Sequence, residues 1–260
     1  MINVLINGAY GKMGTELNKY ISTLSDVSVK YEVDRDSDVC LACLDDIIEK
    51  PDVIIDFSTP KASLAILDYA TCHLIPVVVA TTGFTDVENS KILEYSQAIP
   101  IFKASNMSYN IHLIGKILRE ISPLLSDMDI EIIEKHHKAK KDAPSGTALF
   151  LADEINSACS NKYTYIFDRH IAHYARKKNE IGFSSVRGGN IIGEHEVLFL
   201  GENESIEIKH TSYSRRIYAE GAVLAARFII HQKNGLYSMS DLLEPFGTDS
   251  KKYKKKIALL

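Results

Sequence analysis

Over its first hundred residues the chain alternates two signals, and that alternation restricts the fold more than any other feature. Five short apolar runs, "INVLI", "VSVKYEV", "DVIIDF", "IPVVVA" and "IPIFKA", read as buried strands. Segments with helical spacing lie among them: Met13 to Leu24, Lys61 to Thr71 and Asp86 to Gln97. Strands alternating with helices predict a parallel sheet with helices on both faces. In that architecture a ligand is expected at the carboxyl ends of the strands.

The pattern changes after about Asn106. A helical stretch, Ile111 to Leu125, leads into the strand-like "MDIEIIEKHH", and a helix is expected to start near Ser145. Closely spaced strand candidates follow, "GFSSVRGG", "HEVLFLG" and "SIEIKHTSY", as in a mixed or antiparallel sheet. "GAVLAARFIIH" then reads as an amphipathic helix, and "GLYSMSDLL" as a helix start capped by Ser238 or Ser240. The fold class expected is therefore α/β: a Rossmann-type parallel sheet domain plus a second α+β domain with a mixed, largely open sheet.

Composition excludes several classes of function. The formal net charge of −4 leaves no general footprint for nucleic acid or membrane, and the one basic run, Lys251 to Lys256, reads as a solvated tail. Cys40 and Cys43 form a lone C-x-x-C without the partners a zinc site requires, so both are read as packing positions and no metal is expected. Four cysteines in 260 residues, no apolar run long enough to span a bilayer, and no charged-then-apolar leader predict a cytoplasmic protein.

The first chemical motif is "NGAYGKMG", with Gly8, Gly11 and Gly14 directly after the first strand. Glycine permits a tight turn and a close approach of backbone N–H groups to a pyrophosphate, and the helix starting near Lys12 adds its positive dipole end. The spacing alone is weak; its place between the first strand and a helix strengthens it. Asp34 lies 20 residues beyond Gly14, near the offset at which an acid receives the ribose hydroxyls of NAD. Arg35 beside it suits adenine stacking or a 2′-phosphate, so NADH or NADPH is expected. Thr81, Thr82 and Gly83 close a later strand with small polar groups for a nicotinamide ribose, and Asn106 is placed to face a nicotinamide. Read singly, each of these is a turn residue.

The second motif is "EKHHKAKKDAPSGTAL", Glu134 to Leu149. It reads as a strand end, a loop and a helix start, with Asp142 or Ser145 as N-cap and Pro144 at the approach. The N–H groups of Gly146 and Thr147 form an anion site, with the Thr147 hydroxyl and Lys140 beside it. Histidine titrates near neutral pH, so His136 or His137 can hand over a proton. Lysines nearby disfavour the protonated form unless an acid or an anionic substrate compensates, as a dicarboxylate would. "SSVRGGNIIGEHEVLF" adds Arg187, Gly188, Gly189, Gly193 and His195 around a turn; here the arginine is either a substrate contact or a subunit-interface residue.

Together these segments resemble the 4-hydroxy-tetrahydrodipicolinate (dihydrodipicolinate) reductase family. "NGAYGKMG", "VIIDFSTP", "VVATTGF", "ASNMSYN", "EKHHKAKKDAPSGTAL" and "GFSSVRGGNIIGEHEVLF" carry the resemblance in the family's order over nearly the whole chain. It implies NAD(P)H-dependent reduction of a small cyclic dicarboxylate on the diaminopimelate route to lysine, in a homotetramer. It implies a dinucleotide-binding domain from residues 1–107 and 217–260, and a substrate and oligomerisation domain from 108–216. By motif position His136 matches the catalytic proton donor and Lys140 the second catalytic residue. His137, Ser145, Gly146 and Thr147 match substrate contacts. Gly8, Ala9, Tyr10, Gly11, Lys12, Met13, Asp34, Arg35, Ala80, Thr81, Thr82, Ala104, Ser105, Asn106 and Met107 match cofactor contacts. Ala80 replaces the family's usual glycine, and Met107 stands where an aromatic is common. The competing expectations are another nicotinamide-dependent dehydrogenase of a small acid, which "DAPSGTA" argues against, and a non-catalytic dinucleotide sensor, which has no need of the His136–Lys140 pair.

Overall fold

All five apolar runs become strands in the computed structural model of the chain, which describes residues 1–34, 44, 47, 49–172 and 174–243. Arg35, Cys40, Cys43 and the Lys251–Lys256 run lie outside the described residues. The chain divides into two compact units, Met1–Tyr109 with Arg215–Leu260, and Asn110–Ser214.

The first unit contains β1 (Ile2–Asn7), α1 (Lys12–Ile21), β2 (Val27–Val33), β3 (Val53–Asp56), α2 (Pro60–His73), β4 (Val77–Val79), α3 (Asp86–Tyr95) and β5 (Pro100–Lys103). The chain's return adds α7 (Arg216–Ile229), β11 (Gly235–Tyr237) and α8 (Met239–Leu243). Its sheet has the order β11-β5-β4-β3-β1-β2, and all neighbours are parallel. The apolar runs are continuous because both sheet faces are covered. Val4, Ile6, Val53, Ile55, Val78 and Phe102 pack with residues of α1 and α7. Their neighbours Leu5, Ile54, Val77, Val79 and Ile101 pack on the other face with residues of α2 and α3. Each such fully buried aliphatic side chain contributes about 1.5–3 kcal/mol.

Local chemistry fixes the helix starts. The Thr59 hydroxyl accepts the Ala62 N–H ahead of α2, with Pro60 in its first turn, and Thr85 with Glu88 forms a capping box on α3. The helix start expected in "GLYSMSDLL" is α8, after Ser238. The three residues before Ser238 form β11 against β5, too short a strand to leave a periodic trace in the sequence.

The second unit contains α4 (Tyr109–Ile121, its first residue belonging to the first unit), β6 (Asp129–His136), α5 (Gly146–Ala158), β7 (Thr164–Ile166), α6 (Arg169–Ala172), β8 (Glu180–Arg187), β9 (Gly193–Leu200) and β10 (Ser205–Ser212). The sheet order is β10-β9-β6-β8-β7. Its β10–β9 and β9–β6 pairs are antiparallel, while β6–β8 and β8–β7 are parallel, so the sheet is mixed. Along β6 the buried positions are Ile130, Ile132, Glu134 and His136, one face of a strand with period two. Ala148, Leu151, Ala152 and Ile155 of α5 join Ile130, Ile132, Val197 and Phe199 in the core. Two titratable groups therefore continue the face that begins as core. Among the described residues no helix is long and apolar enough to cross a membrane.

Candidate active site

In the first unit the sheet order reverses direction at β1, with β2 on one side and β3 on the other. The crevice outside such a switch point is where an open α/β sheet takes its ligand. Here it is lined by the glycine turn. Gly8 has φ 81°, and a Cβ on it would lie 2.6 Å from the Phe57 carbonyl oxygen. A Cβ on Gly14 would lie 2.2 Å from the Gly8 oxygen. Among the described residues no side chain caps α1, whose N-cap is Gly11, and its first turn carries no acid. The positive end of the helix is thus left for an anion. Asp34 at the end of β2 accepts the Tyr10 N–H at 3.0 Å, tying the acid expected at the ribose to the glycine turn. These features fit a dinucleotide.

The other cofactor candidates divide by burial. Tyr10, Gly11, Lys12, Thr82 and Ser105 are exposed, and Met13 and Asn106 are half-buried. Ala9, Ala80, Ala104 and Met107 belong to the apolar core, so what they offer a cofactor is backbone. Asn106 Oδ1 accepts the Ser108 N–H at 2.8 Å. The buried Thr81 hydroxyl is engaged by the carboxylate of Asp56.

In the second unit β6 carries Glu134 and His136 two residues apart on the inward face. His136 Nδ1 lies 2.6 Å from Glu134 Oε2. Arg187 of β8, opposite His136 in the register, donates to both Glu134 oxygens, at 2.8 and 2.6 Å. The Ser145 backbone N–H donates to Glu134 Oε1 at 3.2 Å, and Arg187 also donates to the Asp142 carbonyl at 2.6 Å. One buried carboxylate thus joins the strand end, the loop and the helix start of the second motif. Of the two N-cap candidates Ser145 caps α5, its hydroxyl accepting the Ala148 N–H at 3.2 Å. The same hydroxyl meets His195 Nε2 at 2.9 Å, and the His195 and His136 rings pack edge-on with centroids 5.1 Å apart. Asp142 instead pairs with Lys140 Nζ at 2.8 Å.

Electrostatics assigns the proton positions. Burial alone would raise the Glu134 carboxyl, but the bonds from Arg187, Ser185 and His136 outweigh it and hold the pKa down to about 2. Glu134 is therefore an acceptor only, and His136 must donate to it from Nδ1–H. Nε2 is left as the atom that gains and gives the second proton. Burial is the largest effect on His136 and keeps its pKa below the ordinary value against the pull of Glu134, with Lys140 and Arg187 adding to the depression. His195 is pushed down further, to about 3, chiefly by burial and next by His136.

The structure brings His136, Lys140, Ser145, Gly146 and Thr147 into one strand–loop–helix segment. His137 is half-buried in the loop, its carbonyl accepting the Lys140 N–H at 3.1 Å, and Gly146 is exposed at the start of α5. Arg187, for which the sequence left two roles open, grips Glu134. Sequence reasoning gave no role to Glu134, Asp56, Gly193 or His195. A Cβ on Gly193 would lie 3.1 Å from His136 Nε2, so this glycine makes room for the proton-carrying edge of the ring.

A dinucleotide-type sheet in one unit and a buried acid–base cluster in another define the general build of a two-domain nicotinamide-dependent oxidoreductase. The profile for the N-terminus of dihydrodipicolinate reductase matches residues 2–107, and the profile for its C-terminus matches residues 110–243. The chain belongs to the dihydrodipicolinate reductase family. It is 43% identical over 248 residues to the 4-hydroxy-tetrahydrodipicolinate reductase of Caldanaerobacter subterraneus subsp. tengcongensis, covering 94% of this chain and 99% of that one. It is 44% identical over 243 residues to the enzyme of the same name from an Exiguobacterium species, covering 94% and 96%. Its fold is similar to that of the dipicolinate-bound dihydrodipicolinate reductase of a Paenisporosarcina species, with a TM-score of 0.74, 24% identity and coverage of 92% and 97%.

Proposed function

We propose that the chain is an NAD(P)H-dependent oxidoreductase that reduces 4-hydroxy-tetrahydrodipicolinate in the diaminopimelate route to lysine. The observation that carries the reading is the Glu134–His136 pair, a buried, charge-fixed histidine beside the Ser-Gly-Thr helix start, in a chain of this family. When bound, the reduced nicotinamide supplies hydride. The turn at Gly8 to Met13, with Asp34, holds the dinucleotide, and Ala80 to Thr82 and Ala104 to Met107 bound its nicotinamide half. Residues 1–107 and 217–260 thus bind the dinucleotide and 108–216 the substrate.

In the second unit the amides of Gly146 and Thr147 and the positive end of α5 take a substrate carboxylate. Ser145 holds that helix start, its hydroxyl being engaged by Ala148 and His195. His137 orients the ring. Lys140 adds positive charge and is the second catalytic residue. His136 delivers a proton from Nε2 while Glu134 keeps Nδ1 occupied. In the free protein burial favours neutral His136, so the two negative charges of the substrate draw the proton onto the ring before turnover. The family resemblance and the low cysteine content support a cytoplasmic homotetramer, which light scattering on the purified protein tests.

A coupled assay with substrate freshly made by the preceding synthase, run with NADH and with NADPH, tests the activity. Substrate-dependent loss of nicotinamide absorbance is expected. Binding of either cofactor without turnover would leave a dinucleotide sensor.

A further inference from the structure

Asp56 is the last residue of β3, wholly buried at the switch point of the parallel sheet, and the function above makes no use of it. Among the described residues, five hydrogen bonds from four residues end on its carboxyl group. Oδ1 accepts from Asn7 Nδ2 at 2.8 Å and from both the backbone N–H, at 3.2 Å, and the hydroxyl of Ser58. Oδ2 accepts from Thr81 Oγ1 at 2.9 Å and from the Ser63 hydroxyl. Asn7 ends β1, Ser58 follows β3, Thr81 follows β4, and Ser63 belongs to α2. A second layer ties the same loops together: Asn7 Nδ2 reaches Ser58 Oγ at 3.0 Å, and the Ser58 N–H donates to Thr81 Oγ1 at 2.9 Å. The Gly8 turn rests directly on the Phe57–Ser58 backbone. An acid this deep is costly to bury unless its hydrogen bonds are satisfied; burial still pushes its pKa up, and four of the five bonds come from the strand ends and loops that edge the ligand crevice.

We infer that Asp56 is a positioning residue for the dinucleotide, its carboxylate holding the loops after β1, β3 and β4 in the one arrangement that admits the cofactor. The inference rests on the reading of the first unit as dinucleotide-binding. Asp56 touches no reacting atom; it acts through Thr81, Ser58 and the Gly8 turn. Loss of the clamp therefore weakens nicotinamide cofactor binding and leaves the dicarboxylate site of the second unit intact. Ser63 supplies an internal control, because its bond reaches the same carboxylate from the helix and not from the crevice.

The test is fluorescence titration of the full-length enzyme with NADH, alongside KM for each substrate and thermal melting. Asp56→Ala is expected to raise Kd and KM for NADH about tenfold, the scale of losing one hydrogen bond, with KM for the dicarboxylate unchanged. Asp56→Asn, which keeps the volume and turns one acceptor into a donor, gives a smaller rise in the same direction and serves if the alanine variant does not fold. Ser63→Ala lowers Tm and leaves Kd for NADH at the wild-type value. Wild-type NADH affinity in both Asp56 variants overturns the inference, as does an equal loss in Ser63→Ala. Failure of the wild-type enzyme to bind NADH or NADPH would instead remove the dinucleotide reading beneath it.

Discussion

His136 Nδ1 stands 2.6 Å from Glu134 Oε2, and that contact decides which edge of the histidine is left to take up a second proton. The two residues alternate down one face of β6, so the strand itself sets the pairing. Arg187 then holds the carboxylate ionised, and an ionised carboxylate keeps the imidazole in a single tautomer.

Removing the charge of Glu134 should show in the pH profile. In the proposed role His136 acts protonated, so kcat is expected to fall as pH rises through its pKa in the bound complex. Glu134 raises that pKa. In Glu134→Gln the falling limb of kcat is expected to move to lower pH, with a lower plateau. A limb that stays in place would show that Glu134 does not govern the proton on His136.

Arg187 neutralises a carboxylate with no exposure to solvent. Arg187→Met leaves that charge buried and unpaired, and urea unfolding is expected to show a loss of about 3–5 kcal/mol. The double variant Glu134→Gln/Arg187→Met removes the stranded charge and should recover part of the loss. An additive double variant would contradict the pairing.

Gly193 is the finest probe of the ring position. An alanine Cβ there meets His136 Nε2 at 3.1 Å, so the ring must shift by a few tenths of an ångström. A full ångström costs about a hundredfold in rate, so kcat is expected to fall about fourfold, with Tm near wild type. Unchanged kcat would mean that Nε2 is not the reacting edge.

His195 links the site to stability. Its folded pKa of about 3 lies below its ordinary value of 6.5, so in that window the unfolded chain binds a proton that the folded chain does not. Stability is therefore lost as pH falls from 6.5 toward 3, by about 1.4 kcal/mol per pH unit for this one proton. His195→Gln should be less stable than wild type at pH 7, and the gap should narrow by pH 5 in urea unfolding. A gap independent of pH would place His195 outside the buried neutral state.

The sequence made the parallel sheet, the glycine turn and the His136–Lys140 loop legible, because each is written in contiguous residues. Glu134 was missed although its signal was present. Ile130, Ile132, Glu134 and His136 share one parity, and an acid at a core-facing position calls for a partner. Asp56 carried the same kind of signal, a charge ending the apolar "VIID". Arg187 and His195 could not be assigned, because the register that sets them beside His136 and Glu134 joins strands about fifty residues or more apart. The Ser145–His195 contact and the fit of Gly193 against His136 emerge only with atomic distances, since a hydroxyl near a helix start and a glycine in a turn each have an ordinary local explanation.

The central claim is that His136 delivers the proton from an edge fixed by Glu134. Its most direct test is kcat of His136→Gln with freshly made substrate and saturating cofactor. A loss of about 10²–10⁴-fold is expected, with affinity for NADH unchanged. Turnover near the wild-type rate would contradict the account.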